Sequence, residues 1–149
     1  MLVSQKCQYA LRAVFELAKH YGGDPVKVGD IADAQAIPPR FLEVILNQLK
    51  QAGFVESKRG AEGGYRLIHS PESLNVGDIL RFVQGPIGPV GCVAGGETET
   101  CPLRGSCVFM PMWKKVQDAM TTIYDSTTLQ HLLNEEAQAC HAYVPSYVI

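Results

Sequence analysis

The sequence predicts a mainly α-helical fold that carries one small β-hairpin, and three observations predict it. Apolar residues recur at helical spacing through most of the chain, two short strand-like runs flank a glycine-rich turn, and a long glycine- and proline-rich stretch separates this group from a last amphipathic helix. The 149 residues, 46% hydrophobic and 19% charged, suit one compact domain or a small domain with an oligomerising appendage, and they exclude a disordered chain or a fibrous repeat.

Taken in order, Ser4 to His20 places Tyr9, Ala10, Ala13, Val14, Leu17 and Ala18 on one helical face, with Leu11 and Phe15 widening it. Tyr-Gly-Gly-Asp-Pro ends this helix at residues 21–25. A short helix comes next over Val28 to Ala34, and Gln35-Ala36-Ile37 is a tight connection. Pro38 and Pro39 suit the first turn of the next helix, because proline lacks a donor that would find no partner there. Phe41, Leu42, Ile45, Leu46 and Leu49 then form a narrow apolar stripe that Gly53 closes, while Arg40, Glu43, Val44, Asn47, Gln48, Lys50 and Gln51 lie on the outer face. Phe54 to Arg59 and Tyr65 to Ile68 read as the two strands of the hairpin, around Gly60-Ala61-Glu62-Gly63-Gly64. That glycine run lacks the Lys-Ser/Thr ending of a phosphate-binding loop and opens no helix, so it is a turn. Asn75 caps one more short helix, to Val83.

Helix, helix, short turn, helix and hairpin is the order of a winged helix-turn-helix, in which the third helix enters a major groove and the hairpin lies against the backbone or the minor groove. Charge agrees with that order. The net charge of −2 hides nine Lys or Arg against seven acids up to His69 and four against eight beyond it, so the positive half coincides with the winged helix. Arg40, Lys50, Lys58 and Arg59 are candidates for phosphate contacts. Arg59, Glu43 and Val44 have the chemistry to read base edges: Glu43 by accepting from cytosine, Val44 by meeting a thymine methyl.

From Gln84 to Pro111 glycine and proline forbid regular structure, and three of the five cysteines, Cys92, Cys101 and Cys107, lie there with C-x8-C-x5-C spacing. Such a chain can wrap a soft metal, and thiolates bind iron-sulfur clusters and zinc. Zinc sites usually have paired C-x2-4-C spacing and four protein ligands, whereas only three are local here. Gln8, Cys7, His20, His131, Cys140 and His141 form the pool for a fourth ligand, although Cys7 reads first as a small apolar residue buried in the first helix. Met112, Trp113, Val116, Ala119, Met120, Ile123 and Tyr124 then mark a helix whose apolar face is wide enough for its own domain and a second subunit. Asp125-Ser126-Thr127 interrupts it, Leu129, Leu132 and Leu133 make a short further turn, and the tail from Cys140 carries no pattern. These elements divide the chain into a winged helix-turn-helix domain at 1–83, a cysteine-containing sensor loop at 84–111, a dimerisation helix at 112–137 and a tail at 138–149. Neither a secretion signal nor a membrane span is visible, so a cytoplasmic location is expected. No HExxH, G-x-S-x-G, P-loop or dinucleotide fingerprint appears, which argues against an enzyme.

Lys6, Tyr9-Ala10-Leu11-Arg12-Ala13, Phe41-Leu42-Glu43, Leu49-Lys50-Gln51-Ala52-Gly53, Ser57-Lys58-Arg59-Gly60, Gly63-Gly64-Tyr65-Arg66-Leu67 and Val76-Gly77-Asp78-Ile79 together resemble one family. It is that of the bacterial winged-helix regulators IscR, NsrR, RirA and CymR, and the resemblance extends to about Tyr124. It implies a homodimeric transcription factor, usually a repressor, on a palindromic operator of double-stranded DNA. Arg59 and Gly60 would make the wing contact, and Arg40, Phe41, Glu43, Val44 and Asn47 the recognition contacts. The family's three-cysteine loop maps onto Cys92, Cys101 and Cys107, which implies a two-iron or four-iron cluster sensing iron-sulfur status, redox state or nitric oxide. The first cysteine interval is longer than in IscR, Met110 stands where IscR has a histidine ligand, and Gln8 stands where NsrR has an acidic one. CymR-like members have no such loop and bind no cluster, so the three retained cysteines favour a cluster-binding member; a cluster-free thiol-redox or zinc-responsive regulator of the same fold is the alternative.

Overall fold

The computed structural model describes residues 2–95 and 101–142, and among them six helices and one hairpin run in the order α1 (Gln5–Lys19), α2 (Val28–Gln35), α3 (Pro39–Gln51), β1 (Val55–Lys58), β2 (Gly64–Leu67), α4 (Val76–Gln84), α5 (Met110–Ser126) and α6 (Leu129–Ala142). The core forms where α1, α2, α3 and the base of the hairpin meet. Ala10, Ala13, Val14 and Leu17 of α1 pack with Ile31 of α2 and with Leu42, Ile45, Leu46 and Leu49 of α3. The alanines let the α1 backbone lie close to its neighbours, since close packing of helices is set by side-chain size at the contact.

Side-chain caps start two of the helices, α1 and α4. The Ser4 side chain accepts from the Cys7 amide at the head of α1. At α4 the Asn75 side chain accepts from the Asp78 amide, and the Asp78 carboxylate accepts from the Asn75 amide, a reciprocal capping box. Between α2 and α3 the chain turns on Ala36, left-handed at φ 51°, and the Ile37 amide donates to the Ala32 carbonyl at 3.0 Å. The hairpin is antiparallel with Val55 opposite Leu67 and Lys58 opposite Gly64. An Arg66–Glu56 pair crosses its exposed face, and Phe54 meets Phe82 of α4 at 5.3 Å between ring centroids.

A second, smaller core joins the helix-turn-helix to the C-terminal part of the chain: Cys7 of α1, Leu80 of α4 and Ile87 after α4 are buried together, with Met120 and Tyr124 of α5 half-buried on them. The Arg81 guanidinium donates to both Asp125 carboxylate oxygens at 2.7 Å, linking α4 to α5, and this hydrogen-bonded pairing holds Arg81 above its ordinary range.

Two expectations change. The stretch at 112–137 is two helices: α5 begins two residues earlier, at Met110, and α6 is a full helix of 14 residues where a short turn was expected. Leu129, completely buried, draws α6 onto the main core together with Leu132 and Leu133, and packing extends a helix that its short apolar pattern alone did not predict. Phe41, counted with the α3 stripe, is 61% exposed, because it lies to one side of the face that buries Leu42, Ile45, Leu46 and Leu49. The expected tail at 138–149 falls partly outside the described residues, and so does the side chain of His141. No helix among the described residues is long and apolar enough to cross a membrane.

Glu16 is the one charged core residue among the described residues. Its carboxylate accepts from the Gln35 amide at 2.7 Å and pairs with Lys19 at 3.4 Å and His20 at 3.5 Å. Burial alone would raise the Glu16 carboxyl, but the Gln35 hydrogen bond and the Lys19 and His20 contacts outweigh it and hold the group below the usual carboxylate range. A depressed folded-state value contributes stability that is present above the unfolded value, ~4.3, and is lost as pH falls through the folded one. Glu16→Gln is therefore expected to unfold about 1.5 kcal/mol more easily at pH 7, with the difference from wild type shrinking below about pH 4; urea titrations across that range measure it.

Candidate nucleic-acid interface and cysteine loop

The sequence-derived DNA residues occupy one exposed surface. Arg40, Phe41, Glu43, Val44 and Asn47 lie on the outward side of α3, and Lys50 stands at its C-terminal end. Burial of Leu42, Ile45, Leu46 and Leu49 dictates this, since at 3.6 residues per turn the positions between them must face away from the core. Lys58, Arg59 and Gly60 are exposed where β1 runs into the wing tip. The Lys50 ammonium donates to the Ser57 hydroxyl at 2.6 Å, so the end of α3 and the root of the wing form one continuous surface.

The wing is held at its base. Val26 and Tyr65 exchange backbone hydrogen bonds of 2.8 Å in both directions. Gly64 makes that approach possible: it sits at φ 151°, and a β-carbon there would collide with the Val26 carbonyl.

A groove of about 500 Å³ beside α3 is lined by Gln5, Lys6 and Tyr9 of α1 with Phe41, Val44 and Ile45. Gln5 and Tyr9 flank α3 through a long-range contact between α1 and α3, which no local pattern announces. A second groove, lined by Val28, Glu43, Asn47, Gln48 and Tyr65 among others, runs between α2, α3 and the wing.

The cysteines divide. Cys92 and Cys107 are half-buried, Cys101 is exposed, and all three are free thiols in the segment between α4 and α5. Cys107 leads directly into α5, its carbonyl accepting from the Met110 amide at 3.2 Å. The donor chemistry fits a soft metal centre. Among the described residues, however, no three His, Cys, Asp or Glu side chains stand close enough to share a metal ion. Of the fourth-ligand candidates, Cys7 is completely buried, and burial pushes its thiol up, away from the thiolate a metal needs. Gln8 is exposed, and its side-chain amide donates to the Val3 carbonyl at 3.1 Å. His20 and His131 pair with Glu16 and Glu135, and Cys140 is exposed on α6.

A helix-turn-helix with an exposed third helix, a stapled wing and cationic residues along both defines a DNA-binding regulator of transcription. Residues 3–135 match the Rrf2 family, described as an iron-dependent transcriptional regulator, and the chain belongs to that family. It is 35% identical to the HTH-type transcriptional regulator CymR of Bacillus subtilis, over 97% of this chain and 98% of that one. Two solved structures share the fold. CymR, the global cysteine regulator of B. subtilis, superposes with a TM-score of 0.74 at 34% identity, over 91% of this chain and 98% of CymR. T. potens IscR gives 0.76 at 33% identity, over 93% of this chain and 90% of that one. The protein is thus a transcription regulator and not an enzyme.

Gly64→Ala tests the wing staple: roughly 1–3 kcal/mol of stability is expected to be lost in urea unfolding, because the substitution strains the backbone and drives Val26 away.

Proposed function

We propose that the protein is a homodimeric, cytoplasmic repressor that binds a palindromic operator and senses iron-sulfur status, redox state or nitric oxide through Cys92, Cys101 and Cys107. One observation carries this reading: three free thiols lie in a single segment that runs into α5, a helix with no buried residue in its own subunit. Met112, Val116 and Ile123 are left 45%, 38% and 62% exposed along it, the kind of apolar surface a second copy covers. Cys92, Cys101 and Cys107 would hold an iron-sulfur cluster, which when bound supplies a crosslink that oxidant or nitric oxide removes. Loss of that crosslink would free the segment next to the dimer helix. Since half-sites repeat every ~34 Å, a small change in dimer geometry is enough to weaken operator binding. Of the fourth-ligand candidates, exposed Gln8 stays accessible to a partner, whereas burial argues against Cys7.

In this reading Arg40, Phe41, Glu43, Val44 and Asn47 face the base edges, Lys50 and Lys58 meet phosphates, and Arg59 with Gly60 enters the minor groove. Lys58→Ala is expected to weaken binding uniformly across sequences and to lower the salt slope by about 1, whereas Glu43→Ala relaxes discrimination at one base pair by about 1–3 kcal/mol; fluorescence anisotropy on operator variants at several salt concentrations separates the two.

Similarity to CymR, and the absence of three gathered ligands among the described residues, favour a second reading: a cluster-free thiol or zinc regulator. Anaerobic purification with iron and sulfide quantitation decides. The first reading expects a brown protein that becomes colourless, with altered operator affinity, when all three loop cysteines are alanine. A colourless wild type whose DNA binding responds to oxidant or chelator establishes the second.

A further inference from the structure

We propose that Gln117 is a positioning residue: from α5 it clasps shut a small loop, residues 87–93, and so presents the Cys92 thiol. The Gln117 side-chain amide donates to two carbonyls at once, that of Val93 at 2.6 Å and that of Ile87 at 3.2 Å. These two carbonyls stand at the two ends of the segment that contains Cys92. One amide nitrogen on α5 therefore bridges both ends of the turn, and a nitrogen with two protons is the group that can satisfy two acceptors in this way.

Independent contacts show that the loop is closed. The Val90 carbonyl accepts from the Val93 amide at 3.3 Å and from the Ala94 amide at 3.2 Å, a turn that encloses Cys92. Gly88 lies against Ala94 so closely that a β-carbon at 88 would stand 2.7 Å from the Ala94 β-carbon. The loop is also anchored at its stem, where Ile87 is buried with Cys7 and Leu80. Cys92 is thus the half-buried member of a closed, three-point-anchored turn, whereas Cys101 is exposed and outside it.

The chemical consequence concerns both ligand placement and signal. A ligand side chain must be held in place by its neighbours, and groups behind it orient it. Gln117 does this for Cys92 through the carbonyl of the next residue. It also ties that thiol to α5, so a change at Cys92 acts on the helix whose apolar face is open to a partner.

This inference rests on the reading of Cys92 as a sensing ligand, and the experiment keeps the two apart. In the full-length, reduced, metal-free protein, alkylation by iodoacetamide is followed at each cysteine by mass spectrometry. Gln117→Glu removes both donors and sets a carboxylate against two carbonyls. It is expected to raise the Cys92 rate relative to Cys101 about tenfold, Gln117→Met somewhat less, and Gly88→Ala to act in the same direction from the other side of the loop. Cys101 and Cys140, already exposed, keep their rates. Anaerobic reconstitution of the same variants with iron and sulfide should give less bound iron and altered visible absorbance. If Gln117→Glu unfolds, seen as a lost thermal transition with Cys7 labelled, Gln117→Met decides. An unchanged ratio of Cys92 to Cys101 rates in a folded variant overturns the proposal, even where the wild type holds a cluster. A changed ratio in a protein whose wild type binds no iron supports the positioning role and overturns the cluster reading alone.

Discussion

The rest of the architecture depends on one constraint: α5 has no buried side chain among the described residues. A 17-residue helix with that property cannot be held by a core of its own, so it is held by attachments. They come from α1, α4 and the segment after α4: the Arg81 Nη2 donating to both Asp125 oxygens, the Gln117 contacts, and Met120 and Tyr124 resting on Cys7, Leu80 and Ile87. The ion pair is exposed by about two fifths on each side, and exposed pairs contribute only ~0–1 kcal/mol, so its importance is geometric. Gly77 serves that geometry, since a β-carbon there would strike the Asp125 carboxylate. The helix is placed firmly while its apolar face stays uncovered.

Through α4, the same attachments reach the DNA-reading module. Cys7 of α1 is in the second core, and three residues on, Ala10 is in the first, so one helix runs through both. At its other end α1 meets α6 through Lys19, which reaches Glu136 at 3.0 Å as well as Glu16. Glu16 in turn accepts from Gln35, the last residue of α2 before the turn into α3. Packed helices and a buried, fully paired carboxylate thus connect the arm that carries the apolar face to the turn that leads into α3. Among the described residues no buried side-chain nitrogen or oxygen is left without a partner, so this junction carries no unpaired polar cost.

Much of this was legible in the residues, for reasons that differ by element. The α3 stripe, the Pro38-Pro39 start, the Asn75 cap and the strands around Gly60–Gly64 are local signals, and the observed elements match them within about two residues. The outward positions of α3 follow from periodicity once the inward ones are known. Cys7 shows the limit: a cysteine in an amphipathic helix has the chemistry of a ligand and the size of a small apolar residue, and its packing against Leu80 and Ile87, more than 70 positions away, is not written in the local pattern. Glu16 was invisible for the same reason. A glutamate on a helix reads as solvated unless partners from another helix are known to surround it.

Residue type and spacing over a few turns were enough for the order of elements, the outward face of α3, the charge division and the family. Tertiary structure alone decided where α5 and α6 go, which cysteine is buried, and that Gln117 closes the loop around Cys92. Those outcomes depend on contacts between residues tens of positions apart, and no periodicity encodes which distant carbonyl a side-chain amide will meet.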